Sequence, residues 1–434
     1  MKAAFYTLGC KVNQYETQSM LEQLKSVGYS IVSCEEEADV YIINSCTVTA
    51  SSDQKTRQTV RHYKRLHPSA AVVLTGCMPQ AYPDAAKELE EADIVLGNNN
   101  HAYLTQVLSD FWMTKQRICR INQHETGEVF RSIGISDFEE RTRAFVKIED
   151  GCDRFCSYCI IPVARGRVRS RELKDLKEEL ELLVSRGYQE AVLVGINLSA
   201  YGRDNGASFC DAVALSCAVK GIQRVRLGSL EPDHITPEVI SSLSKLDKLC
   251  PQFHISLQSG CDATLKRMNR HYDTEEYAQL CENLRSAFPN IALTTDVMVG
   301  FPGETREEFE TSLAFVKRIG FSKIHVFPYS PREGTRAAKM ENQVTKAEKK
   351  ERCREMIAAG QELRSAFLKK QIDGIFPVLF ETACTDNIYE GYTPNYTPVR
   401  VHSEKNICGL LKNVLINRTG EDWCEGMLLD CSRK

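Results

Sequence analysis

The stretch EDGCDRFCSYCIIP, Glu149–Pro162, carries Cys152, Cys156 and Cys159 in a C-x3-C-x2-C pattern. Structural zinc takes four protein ligands in a closed tetrahedron. No histidine stands close by in the sequence to complete such a set. A [4Fe–4S] cluster held by three thiolates leaves one iron open to another ligand. Zinc, an open iron–sulfur cluster and buried structural cysteines are the readings the loop alone allows.

What surrounds the loop narrows the choice. It ends the apolar run TRAFVKIEDGC, and five comparable runs follow: EAVLVGINLSAYG, RVRLGSL, QFHISLQSG, ALTTDVMVGFPG and KIHVFPYS. Segments with helical spacing, such as LKDLKEELELLVSRG and REEFETSLAFVKRIG, separate them. Six βα units predict an incomplete (β/α)6 barrel of the TIM type, with function at the carboxyl ends of its strands. A helix-rich stretch over 343–371 closes this series. Beyond it, FPVLFE, YTPVRVH, NVLINRT and GMLLDC are short runs between turn residues. They read as a small antiparallel β-barrel.

Upstream, the first 100 residues repeat the βα pattern. KAAFYTLGC ends at Cys10, ADVYIINSC at Cys46 and AAVVLTGC at Cys77, while ADIVLG ends without cysteine. Such alternation predicts a parallel sheet with helices on both faces. Ligands of these sheets bind beyond the carboxyl ends of the strands. Three strands that each deliver a cysteine there point to one shared ligand. Residues 101–140 read as a connection with polar turns around NQHETGE. The fold class is therefore α/β, with the small β-barrel appended.

Composition excludes several classes. The chain has 434 residues, 42% hydrophobic and 26% charged, with a formal net charge of −3. That balance gives no whole-molecule attraction to nucleic acid, so such a surface has to be a local patch. No apolar run reaches the ~18 residues of a membrane span. The amino terminus, MKAAFYTLGC, lacks the apolar core of a signal peptide. A cytoplasmic location follows as the expectation. There, 18 cysteines argue for metal binding rather than a disulfide framework.

The C-x3-C-x2-C spacing after the first strand of a βα series, with Tyr158 before its last cysteine, resembles the radical S-adenosylmethionine superfamily. In that superfamily the open iron chelates the amino and carboxylate groups of the cofactor's methionine moiety. TLGCKVNQYE, NSCTVT and TGCMPQ look like the signature of the methylthiotransferases. GCKVNQYE is most similar to the MtaB branch; the MiaB branch usually shows GCQMN and the RimO branch GCPKN. The resemblance covers the whole chain and implies three domains. Residues 1–120 would carry an auxiliary [4Fe–4S] cluster on Cys10, Cys46 and Cys77. Residues 138–370 would form the radical core, with a second cluster on Cys152, Cys156 and Cys159. Residues 371–434 would form a TRAM barrel. The implied reaction is methylthiolation of C2 of N6-threonylcarbamoyladenosine (t6A) at position 37 of tRNA. S-adenosylmethionine would serve as methyl donor and as radical source, and sulfur would pass through the auxiliary cluster. The implied partners are the tRNA anticodon loop, an electron-donor protein and a sulfur source, with no membrane. The alternatives are a RimO-like enzyme acting on a ribosomal-protein aspartate, a MiaB-like enzyme acting on prenylated A37, and a non-catalytic iron–sulfur RNA-binding or sensing protein.

Polar residues at the other strand ends suit a bound nucleoside and amino acid. By the resemblance, Tyr158, Gly195, Asn197, Ser229, Glu231, Gln258, Ser259, Asp296 and Gly300 line the cofactor pocket. Arg332, in FPYSPREGT after the last strand, is the expected cation for a substrate carboxylate or phosphate. In ARGRVRSR, Arg165, Arg167 and Arg169, with Arg171, form the basic patch nearest the cluster loop. Lys55–Arg65 and the group Lys266, Arg267 and Arg270 are further basic runs. Residues 371–434 instead hold six Lys/Arg against nine Asp/Glu, an unusual balance for an RNA-gripping module. There the aromatics of GYTPNYTPVRV are expected to meet the RNA by stacking and shape.

Overall fold

The computed structural model describes residues 1–131, 134–135, 142–385 and 387–429. The expected domain start at 138, acids 386 and 430, and Arg433 and Lys434 lie outside the described residues.

β1 (Lys2–Thr7), β2 (Ser30–Val32), β3 (Val40–Ser45), β4 (Ala71–Gly76), β5 (Ile94–Leu96) and β6 (Ile118–Arg120) make one parallel sheet in the order β2-β1-β3-β4-β5-β6. Every residue of β3 and β4 is buried, as in a sheet covered on both faces. The period of two is visible in β3. Tyr41 and Ile43 pack with Val60 and Tyr63 of the helix Ala50–Leu66. Val40 and Ile42 pack on the other face with Met20, Leu24, Leu104 and Leu108 of the helices Lys11–Ser26 and Leu104–Thr114. Residues 101–140 are thus more than the expected connection: they supply a helix and the edge strand β6 to the first sheet. β2 and β6 have three residues each, too few for periodicity to register.

The second series comprises β7 (Arg143–Lys147), the short antiparallel pair β8 (Glu149–Asp150) and β9 (Arg169–Ser170), β10 (Glu190–Val194), β11 (Arg224–Leu227), β12 (Ser229–Leu230), β13 (Gln252–Ile255), β14 (Ala292–Val299) and β15 (Lys323–Pro328). RVRLGSL, expected as one strand, breaks at Gly228. Its first half pairs with β10 and its second with β13. The six positions run β7-β10-β11/β12-β13-β14-β15, all parallel. Among the described residues β7 and β15 do not pair, so the barrel is open on that side. The helix Lys11–Ser26 touches β7 there. The helix Lys346–Lys369 packs on β15.

β16 (Ile375–Thr385), β17 (Ile388–Tyr392), β18 (Pro398–His402), β19 (Leu411–Thr419) and β20 (Cys424–Leu428) close into a five-stranded barrel. Its core is Val378, Phe380, Val399, Val401, Val414 and Ile416. Among the described residues no helix is long and apolar enough to cross a membrane.

Candidate active site

β1, β3 and β4 are neighbours in the first sheet, and each ends beside one cysteine. Cys10 caps the helix Lys11–Ser26, Cys46 follows β3, and Cys77 opens the helix Cys77–Ala81. The loops are tied tightly. Asn13 donates to Leu8 O and Ser45 O, both at 2.9 Å, and Ser45 Oγ donates to Thr75 O at 2.6 Å. Gly9 has φ of +109°, and a Cβ there would lie 2.8 Å from Cys46 Cβ. Only glycine lets these two loops approach so closely. Burial pushes the Cys46 thiol up and takes Cys77 to about 12. These thiols become ligands only by losing the proton to a metal.

The second trio occupies the loop after β8. Cys152 N donates to Gly166 O and Cys159 N to Cys156 O, each at 3.0 Å. Ser157 N donates to Met268 O at 2.9 Å. Burial pushes Cys152 up and takes Cys159 to about 12. Arg270 Nη1 donates to Cys156 Sγ at 3.2 Å, and Asn197 Nδ2 to Cys152 Sγ at 3.8 Å. Such donors suit thiolates of a cluster, whose charge and potential respond to hydrogen bonds on sulfur. Among the described residues no three Cys, His, Asp or Glu side chains gather as one metal ion requires. A cubane sets its thiolates farther apart, because each binds a different iron.

The residues expected around the cofactor divide into groups. Asn197 and Glu231 adjoin the cysteine loop, Glu231 by pairing with Arg270. Tyr158 packs edge-on to Phe301, with ring centroids 6.3 Å apart. Gln258 has a buried Oε1 without a hydrogen-bond partner among the described residues. Ser259 is buried beside it and accepts from Cys261 N at 3.3 Å. Ser229 and Asp296 face the barrel lumen. Gly195 and Gly300 sit against neighbouring side chains. A Cβ on Gly195 would lie 2.6 Å from Glu149 Oε2, and one on Gly300 would lie 2.4 Å from Lys349 Cγ. Glu149, missed in the sequence although it opens the cysteine stretch, is fully buried and accepts from Asn197 N at 2.7 Å. Burial raises its carboxyl well above the usual range.

The basic stretch ARGRVRSR is largely internal, which corrects its reading as an RNA patch. Arg165 is only 1% exposed; Nη2 donates to Glu16 Oε2 and Asn13 Oδ1 at 2.9 Å, and Nε to Cys77 Sγ at 3.2 Å. Lys147 Nζ bridges Glu16 and Asp150 at 2.8 and 2.7 Å. Arg169 is buried between Asp150 and Glu128, and Arg171 against Glu179. Only Arg167 is exposed, in a pair with Asp153. The physical reason is that two acids on the first-domain helix and β8 need buried counter-charges. In the third basic run, Arg267 pairs with Glu308 and Arg270 with Glu231.

Arg165 also links the loops that carry the two trios, since it donates to Cys77 and ends the short helix that follows Cys159. Its short helix, Ile161–Arg165, packs through Ile160 and Ala164 onto Cys77, Ala81 and Tyr82. The Arg332 loop makes a second junction. Ser330 Oγ accepts from Ala50 N at 3.1 Å, and Arg332 donates to Thr47 Oγ1 at 2.8 Å and pairs with Asp53. Arg332 therefore braces the loop after Cys46 and does not face a substrate as expected. Arg332→Met strands a buried carboxylate, which costs about 3–5 kcal/mol. The denaturant midpoint falls accordingly, and adding Asp53→Asn restores part of the loss. An unchanged midpoint would refute the brace.

The lumen of the partial barrel is a cavity of about 750 Å3, lined among others by Lys11, Arg143, Arg226, His254, Asp296 and His325. His254 Nε2 lies 3.3 Å from Asp296 Oδ2, which holds that carboxyl below its usual range despite burial. The small β-barrel forms one end of the cavity. Tyr392 and Tyr396 stack on each other at 4.7 Å and flank Arg143. These aromatics, expected to meet RNA, are engaged within the chain. The acid surplus of this barrel has a similar explanation. Glu381 pairs with Arg143 at 2.8 Å, and Asp422 with Arg364 at 2.6 Å and Lys323 at 3.4 Å. Its carboxylates dock it onto the basic end of the larger barrel.

Comparison with known proteins follows the same division. The model of the Uncharacterized protein family UPF0004 matches residues 2–97, and that of the Radical SAM superfamily matches residues 146–316. The chain is 38% identical over 432 residues to the threonylcarbamoyladenosine tRNA methylthiotransferase MtaB of Bacillus subtilis, covering 98% of this chain and 96% of the relative. It is 38% identical to the Thermotoga maritima protein of the same name, covering 90% and 89%. It is 36% identical to a tRNA-2-methylthio-N(6)-dimethylallyladenosine synthase of Clostridium botulinum, covering 94% and 93%. Among solved structures, the radical S-adenosylmethionine methyltransferase TsrM of Kitasatospora setae shares the fold. Its TM-score is 0.54 at 14% identity, with 76% of each chain covered.

Proposed function

Because the chain belongs to the methylthiotransferase family that includes the MtaB enzymes, we propose that it methylthiolates C2 of t6A at position 37 of tRNA. The observation that carries this reading is the packing of the Cys77 helix on the short helix that follows Cys159, with Arg165 donating to Cys77 Sγ. The two [4Fe–4S] clusters and S-adenosylmethionine, when bound, supply the radical, methyl-transfer and sulfur chemistry.

The chain's own residues hold and orient these groups. Cys152, Cys156 and Cys159 hold the cluster that takes S-adenosylmethionine, and Cys10, Cys46 and Cys77 hold the auxiliary cluster. Arg270 and Asn197 donate to the first trio and Arg165 to the second, offsetting the thiolate charge. Tyr158, Glu231, Gln258 and Ser259 surround the cofactor side of the mouth. Ser229 and Asp296 face the base from the lumen. Residues 1–120, 138–370 and 371–434 act as auxiliary-cluster, radical and TRAM domains. An electron-donor protein and a sulfur source complete the cycle, in the cytoplasm where tRNA is modified. The anticodon loop is already single-stranded, so presenting its base costs less than extracting one from a duplex. Arg167 is the exposed member of its stretch and the one left for a phosphate.

Anaerobic reconstitution is expected to give about eight iron and eight sulfide per chain, four for each trio. Zinc, or iron for one cluster only, would contradict the assignment. For the reaction itself, the chain is expressed in cells whose tRNA contains t6A but not its 2-methylthio form. Nucleoside mass spectrometry then finds 2-methylthio-t6A. A methylthio group found instead on prenylated adenosine or on a ribosomal protein moves the chain to a sister branch.

A further inference from the structure

Among the described residues, the lysines and arginines around the lumen are paired with one exception. Arg143 meets Glu381 at 2.8 Å, Arg226 meets Glu190 at 2.5 Å, and Arg400 meets Glu390 at 2.8 Å. Arg364 and Lys323 share Asp422. Lys11 lines the same cavity and, among the described residues, has no hydrogen bond or ion pair. Its ammonium lies 6.0 Å from the Phe145 ring centroid. Arg143 and Arg226 line the cavity with it. Asp296, an acid of the lumen wall, is engaged by His254.

Lys11 is an exposed residue of the cavity wall and, among the described residues, no carboxylate pairs with it, so an incoming anion can do so. We propose that the lumen contains a carboxylate-binding site whose cation is Lys11, and that it takes the threonyl carboxylate of the modified base. This rests on the substrate reading above. Two features of placement favour this occupant. The cavity has the volume of a small-molecule site, sufficient for a base with its amino-acid arm. Lys11 also follows Cys10 directly, so its flexible four-carbon stem carries the charge away from the sulfur-bearing trio. On the purine, C2 and the carbon bearing the N6 arm likewise flank one ring nitrogen. A base with C2 toward Cys10 can therefore extend its arm toward the ammonium. A backbone phosphate would satisfy the same cation, and the experiment separates the two.

Three anticodon stem-loops are compared for equilibrium binding to cluster-loaded protein: one with t6A, one with its carboxyl converted to the neutral methylamide, and one with unmodified adenosine. The wild type is expected to prefer the acid over the amide by about tenfold or more. Lys11→Gln and the stem-preserving Lys11→Met are expected to abolish that preference with iron content unchanged, and Lys11→Arg to keep most of it. Retention of the full preference by the neutral variants overturns the proposal. So does an equal loss on all three stem-loops, which would mark a phosphate contact. If the wild type itself does not distinguish t6A from adenosine, the substrate reading fails, and the lysine's role fails with it.

Discussion

Cys156→Ala is expected to abolish reductive cleavage of S-adenosylmethionine, while Cys46→Ala retains cleavage and loses the methylthio product. The difference follows from where the two residues sit. Cys156 lies in the loop after β8, and its sulfur accepts from Arg270. Cys46 lies at the end of β3 in a separate sheet, packed against the Gly9 turn. Removing a thiolate from the first trio removes the cluster that holds the cofactor. Removing one from the second leaves that cluster intact. The measurement is 5′-deoxyadenosine formed under reducing conditions, beside methylthio nucleoside, with circular dichroism confirming both folds. Loss of cleavage in both variants would refute separate roles for the trios.

The second large effect concerns stability, and it divides one basic stretch into two behaviours. Arg165→Met is expected to lower the unfolding free energy by about 3–5 kcal/mol, because Glu16 and Asp150 lose a buried partner. Both carboxyls are held low against the opposing effect of burial, Glu16 at about 2, with Arg165 and Lys147 as the main causes. Arg167→Met is expected to change it by about 0–1 kcal/mol, since the Asp153 pair is exposed. Denaturant midpoints at unchanged slope give both values. Equal midpoints for the two variants would sink the assignment of Arg165 to a buried junction. If Arg167 contacts phosphate, its loss is instead seen as weaker, less salt-dependent tRNA binding.

The trios were legible in the sequence for a geometric reason. A buried parallel strand is a short apolar run, and the residue after it lies at the carboxyl edge. Cys10, Cys46 and Cys77 could be placed at one edge before their neighbours were known. The six βα units were legible through the same alternation, and the small barrel through its turn residues. Partners distant in sequence were not. Glu16 and Arg165 are 149 residues apart, and nothing in RGRVRSR distinguishes an arginine aimed at a buried acid from one aimed at solvent. Arg332 was misread for that reason, since its partner Asp53 is 279 residues away. Tyr392 and Tyr396 were read as free stacking platforms because their partners, Arg143 and Arg226, lie in another domain. Lys11 stood inside the quoted signature, but its charge acquires meaning only when the other lysines and arginines of the lumen, among the described residues, are found paired.

The most direct test uses purified, anaerobically reconstituted protein with S-adenosylmethionine, a low-potential reductant and tRNA that carries t6A. Nucleosides are then resolved by mass spectrometry. The account predicts conversion of t6A to 2-methylthio-t6A, with no such product from either the Cys46→Ala or the Cys156→Ala protein. Unchanged t6A beside methylthiolation of prenylated tRNA or of a ribosomal protein would contradict it.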